Sequence, residues 1–170
     1  MTLSRLLMAT FNANINEVKH LLDSGVDPSA NDNHALLYAI HYNRLDIVQL
    51  LLTDKRINPA DNDNEALCTA CAYGYFQIGK LLLADPRVDP SARSNYCIWN
   101  AASSGYVNTV KLLLADQRID PAANGNLALR LAEYNGHHEV VSLLLADPRI
   151  EVNAVVRYVK SWWNALQTWF

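Results

Sequence analysis

The triplet Leu-Leu-Leu begins at Leu50, Leu81, Leu112 and Leu143, each start 31 residues after the last. A period of this length exceeds any single helix turn or strand pleat and marks a supersecondary unit copied along the chain. The same spacing relates Ala39, Ala70, Ala101 and Ala132, then Asp54, Asp85, Asp116 and Asp147, then Arg56, Arg87, Arg118 and Arg149. An earlier copy fits with an offset of 30, which lays Leu6, Ala9, Val18 and Leu22 on Leu36, Ala39, Val48 and Leu52. Five units follow, approximately 2–30, 31–60, 61–92, 93–123 and 124–154, in one repeat domain over 1–154.

Within a unit, Asn33, Asn64, Asn95 and Asn126 each precede an apolar pattern and read as N-caps, their side chains accepting from the free amides of a helix start. The helix that follows ends near Asn43, Gly74, Gly105 and Gly136, residue types that tolerate the left-handed conformation just past a helix. A second helix then carries Val or Ile and the leucine triplet, as in Ile47 to Leu52 and Val140 to Leu145, on a broad apolar face. Asp85-Pro86 and Asp147-Pro148 stop it, because proline disfavours helical geometry in the residue before it, and Asp89-Pro90 and Asp120-Pro121 begin an extended loop. Helix, turn, helix and loop cannot bury two apolar faces alone. The predicted fold is therefore all-α, a solenoid of stacked helix-turn-helix units joined by short hairpin loops.

Of the residues, 51% are hydrophobic, enough for a real core. Fourteen basic residues nearly balance 17 acidic ones, so no field exists to draw nucleic acid, and the expected partner is another protein. Three cysteines suit buried thiols in a reducing compartment, the cytoplasm or nucleus, better than a disulfide framework. Arg5 interrupts the first apolar stretch and Asn12, Asn14 and Asn16 follow, so no signal peptide can be drawn, and no run of about 18 apolar residues argues for a membrane span.

Val18-Lys19-His20-Leu21-Leu22-Asp23-Ser24-Gly25-Val26-Asp27 and Gly136-His137-His138-Glu139-Val140-Val141-Ser142-Leu143-Leu144-Leu145 resemble the second helix and finger of the ankyrin repeat family, and the likeness recurs in register over about nine-tenths of the chain. The family's Thr-Pro-Leu-His opening is replaced by His34-Ala35-Leu36-Leu37, Glu65-Ala66-Leu67-Cys68, Tyr96-Cys97-Ile98-Trp99 and Leu127-Ala128-Leu129-Arg130. The hairpin between units also reads shorter than the family's, and Gly79, inside a second helix, marks the third unit as the softest.

Positions that change from unit to unit on an exposed face are free to encode a partner. His41-Tyr42, Ala72-Tyr73, Ser103-Ser104 and Tyr134-Asn135 end the first helices and, by the resemblance, face the concave recognition surface. Tyrosine there gives contact area and a hydroxyl at little entropy cost. Asp32, Asp63, Arg93 and Asn124, in the predicted hairpins, extend the same surface. In the first unit Glu17 and His20 replace apolar residues, as suits a wetted end. Residues 155–170 form a Trp-rich stripe, with Val155, Val159, Trp162, Leu166 and Trp169 at helical spacing and Trp163 widening it, predicted as a cap on the last unit or a docking helix for a larger complex or membrane surface.

Enzyme chemistry finds no residues. Cys68 and Cys71 form a C-x-x-C pair, but both fall where other units hold apolar side chains, as does Cys97, so they read as core thiols. His137-His138-Glu139 lacks the one-turn histidine spacing of a zinc helix, and His137 reads as a structural hydrogen-bonding residue. No metal, cofactor or small-molecule substrate is expected. The Asp-x-Arg corners, Asp54-Arg56 to Asp147-Arg149, read as a ladder in which each arginine pairs with an aspartate and bonds loop carbonyls, in preference to a strip for an acidic partner.

Overall fold

The computed structural model describes residues 2–150. Ten helices succeed one another in five pairs: α1 (Leu3–Phe11) with α2 (Ile15–Asp23), α3 (Ala30–His41) with α4 (Leu45–Leu52), α5 (Asp61–Ala72) with α6 (Phe76–Leu83), α7 (Ala92–Ser103) with α8 (Val107–Leu114), and α9 (Ala123–Tyr134) with α10 (His138–Ala146). First helices pack on neighbouring first helices and second helices on second helices. Among the described residues there is no strand.

The leucine triplet shows how the stack is cemented. Its middle member, Leu51, Leu82, Leu113 or Leu144, is fully buried, while the flanking leucines are half-buried, with Leu50, Leu52, Leu81, Leu83, Leu114 and Leu145 packed against the core. Ala39, Ala70, Ala101 and Ala132 are buried on the first helices, where a small side chain lets adjacent helices approach closely. Pro28, Pro59, Pro90 and Pro121 are buried in the loops. The second helices end at the same point whether proline follows, as after α6, or not, as after α4 and α8. Proline reinforces a stop that the packing register already sets.

The asparagines do not cap helices. Asn31–Asn33, Asn62–Asn64, Arg93–Asn95 and Asn124–Asn126 each form three successive left-handed residues, so α3, α5, α7 and α9 open with a left-handed turn before regular winding begins. An N-cap needs extended backbone, and none of the four N-terminal caps of these helices has a side-chain bond. This turn takes the place of the predicted hairpin, and Asp32, Asp63, Arg93 and Asn124 sit in it. Asparagine suits it for another reason: it is among the few L-residues that enter the left-handed region readily. Buried Asn64 and Asn95 then turn their side chains to the loop that leads out of their own unit, where Oδ1 accepts from the backbone amides of Asp89 at 2.7 Å and Asp120 at 2.8 Å. Asn33 uses its Nδ2 instead, donating to the Asn58 carbonyl at 3.1 Å and to the Asp61 carboxylate.

At the first unit Glu17 is half-buried and paired with Arg5 at 2.6 Å, while His20 is exposed. The predicted Trp-rich helix, with Trp162, Trp163 and Trp169, lies outside the described residues.

Replacing Asn95 by Ala removes both left-handed tolerance and the partner of the Asp120 amide, and should lower unfolding free energy by about 2–4 kcal/mol. Asn95→Gly keeps the backbone and loses only the bond, so it should cost about 1–3 kcal/mol, less than Ala in the same urea titration. If the two variants lose equally, the backbone conformation contributes nothing. Gly79 lies in α6 with helical backbone, and a Cβ there would sit 3.6 Å from Leu112 Cδ2, an ordinary contact. Gly79→Ala should therefore stabilise the chain by about 1 kcal/mol, read as a higher denaturation midpoint.

Candidate functional site

The first helices form one face of the stack, and a groove of about 560 Å³ crosses it over α3, α5 and α7. Its cause is visible in the register. On α5 the outward positions hold Cys68, Thr69 and Ala72, where α3 holds Leu37, Tyr38 and His41 and α7 holds Trp99, Asn100 and Ser103. Small side chains on the middle helix between bulky neighbours leave a trough. His34, Tyr38 and His41 wall it on one side and Arg93 and Tyr96 on the other, with Glu65 and Tyr73 at the ends of the α5 floor.

The aromatic residues around the trough form a connected set. Phe11 meets Tyr42 edge-on at 5.0 Å, Tyr42 meets Tyr38 at 4.8 Å and His41 at 4.9 Å, His41 meets Tyr73 at 5.4 Å, and Tyr73 stacks on Tyr75 at 5.5 Å. Such pairs hold one another's rotamers and present a rigid surface. Tyr96 meets Trp99 at 4.7 Å on α7. Of the sequence-predicted residues, His41, Tyr73 and Arg93 thus line this groove, and Tyr42 joins the aromatic set beside it. Ser103, Ser104, Tyr134 and Asn135 lie further along. There Asn135 Nδ2 donates to the Ser103 carbonyl at 2.8 Å and hydroxyl at 3.0 Å, and His137 Nε2 meets the same carbonyl at 3.0 Å. Ser103 and Asn135 are thereby committed to holding two units together. Ser104 is exposed, and Tyr134, 88% exposed, has no ring contact among the described residues.

Met8, 59% exposed, and Phe11, 42% exposed, extend the aromatic surface onto α1. Sequence reasoning passed over these two and over His34, Tyr38, Glu65 and Tyr96. Stepping back one helical turn at a time from position 41 through 38 and 34 in each unit would have reached them.

The family model for ankyrin repeats, in three copies, matches residues 6–94 and 88–155. The chain belongs to the ankyrin repeat family. No curated protein matches it. Ankyrin repeats generally serve as protein–protein interaction modules and are typically non-enzymatic. No helix among the described residues is long and apolar enough to cross a membrane, and none of their His, Cys, Asp and Glu side chains cluster in threes that could hold a metal ion.

The finger corners of these ankyrin units are a ladder. Each arginine forks onto the aspartate of its own unit, with Nη2 to Oδ2 distances of 2.6 Å for Arg56, Arg87 and Arg118 and 2.7 Å for Arg149. Arg87 also donates to the Ile57 carbonyl at 3.0 Å, Arg118 to Val88 at 2.8 Å, and Arg149 to Ile119 at 3.0 Å and Leu114 at 2.7 Å, all in the preceding unit. Cys68, Cys71 and Cys97 are buried and unbridged. A hydrogen bond with Cys97, together with burial, pushes the Cys68 thiol well above its ordinary range, so it stays protonated and unreactive.

The arginine forks hold the carboxyls of Asp54, Asp85, Asp116 and Asp147 below their ordinary value of 3.8, against the opposing effect of partial burial. A carboxyl depressed in the folded state contributes stability in full above the unfolded value and loses it as pH falls through the folded one. The midpoint of thermal unfolding should therefore drop as pH is lowered below about 4. In the double variant Asp85→Asn, Asp116→Asn this acid slope should be shallower, and an unchanged slope would assign the acid sensitivity to other groups.

Proposed function

We infer that this ankyrin stack binds a partner protein through the face of its first helices, centred on the trough over α3, α5 and α7. The observation that carries the reading is the trough itself: small side chains at Cys68, Thr69 and Ala72, set among a connected group of partly exposed aromatics. Monomer surfaces seldom leave rigid aromatic clusters open unless they are used. Truncating such an anchor at the centre of an interface commonly costs about 2 kcal/mol or more.

Tyr73 sits at the trough and is 45% exposed, whereas Tyr134 stands apart on α9. Affinity capture from a cell extract with intact protein, Tyr73→Ala and Tyr134→Ala, each confirmed folded by circular dichroism, separates the two regions. Tyr73→Ala should reduce recovery of the specific partner by about tenfold or more, and Tyr134→Ala should leave it nearly unchanged. Equal recovery by the intact protein and Tyr73→Ala moves the interface away from the trough.

A further inference from the structure

We propose that the trough takes a basic side chain, Lys or Arg, from an apolar stretch of the partner's chain, with Glu65 as the group that receives the charge. The proposal rests on the binding face inferred above and adds the chemistry of its occupant. The three first helices around the trough, with their left-handed turns, carry Asp32, Asp61, Asp63 and Glu65 against a single base, Arg93. Among the described residues the lysines are elsewhere: Lys19, Lys80 and Lys111 lie on second helices and Lys55 at a finger corner, all exposed.

These acids are not equally available. Asp61 is occupied by the amides of Asn33 and Asn58. Glu65 lines the trough, half-buried, and has neither a hydrogen bond nor an ion pair among the described residues. Arg93, on the opposite wall, is turned to the Asn62 carbonyl at 2.5 Å and forms no ion pair with Glu65. Such a carboxylate has no protein partner to give up, and a cation entering beside it gains both the charge and the hydrogen bond. The rings of Tyr38, Tyr73 and Tyr96 suit the rest of such a side chain, because aromatic faces attract cations and cover the methylene stem. Exposed Asp32 and Asp63, each two residues before a groove residue, add a negative rim that steers a basic segment to this end.

The test is a random twelve-residue peptide library displayed on phage, selected on the full chain, with the enriched peptides then synthesised and titrated by fluorescence anisotropy. The variants are Glu65→Gln, which keeps shape and removes charge, and Thr69→Trp, which fills the trough floor, each checked for an intact thermal transition. The expected result is enrichment of one Lys or Arg flanked by aromatic or aliphatic residues, a loss of five- to tenfold or more in affinity on Glu65→Gln, and near-abolition on Thr69→Trp. Peptides that lose affinity on Thr69→Trp but carry no basic preference and ignore Glu65→Gln overturn the proposal and leave the binding face standing. Peptides insensitive to Thr69→Trp overturn the binding face as well. Selection of acidic peptides, or of none, counts against the basic occupant.

Discussion

Everything in the stack depends on a buried asparagine held in a left-handed turn. At Asn64 and Asn95 the backbone reverses hand, which points the first helix into the stack, and the side-chain oxygen takes the amide that opens the loop at the end of the same unit. One residue therefore fixes the entry of its own helix and anchors the loop that hands the chain to the next unit. A helix pair of this size cannot bury its two apolar faces by itself, so the junction decides whether there is a core at all. The leucines at 51, 82, 113 and 144 supply the driving force, but they are buried only because the units arrive in this register.

Much of that was open to reading from residues. The period placed the helix pairs, and the glycine positions placed their turns, because glycine at 74, 105 and 136 adopts the positive φ that a turn there demands. Asn33, Asn64 and Asn95 were misread because a helix N-cap and a left-handed backbone select the same side chain, and only the dihedral distinguishes them. The missing hairpin has the same origin: the shortness of the segment was plain, but a three-residue left-handed turn leaves no periodic pattern. On the face of the first helices, unit-to-unit variation points to His41, Tyr42 and Tyr73, while the trough leaves no such signal because it is made by what α5 lacks. Cys68 had a sufficient explanation as a core residue, and its smallness beside Leu37 and Trp99 carries meaning only when helices stand side by side. Ser103 and Asn135 vary from unit to unit as recognition residues do, and the structure adds a hydrogen bond between them that variation alone does not reveal.

The scaffold is even along its length, but the surface built on it is not. Aromatics gather on α1, on α3 and just after α5, at Tyr73 and Tyr75, whereas in the fourth unit the positions of Tyr38, His41 and Tyr42 hold Asn100, Ser103 and Ser104. Identical backbone placement with different side chains separates stability from recognition: the ladder of arginine corners and asparagine turns can stay constant while the face of the first helices changes. Buried thiols on α5 and α7 serve as soft filling where small side chains meet.

The bonds between units also have a direction. Arg44 donates to the Phe11 carbonyl, Tyr75 to His41, Arg87 to Ile57, Arg118 to Val88, Asn124 to Ser94 and Arg149 to Ile119, in each case a later residue giving to an acceptor one unit earlier. Lys111 runs the other way, to Glu139. The two sides of a unit are therefore unlike, one presenting mainly acceptors and the other mainly donors, so units match when stacked in chain order and not when one is turned about.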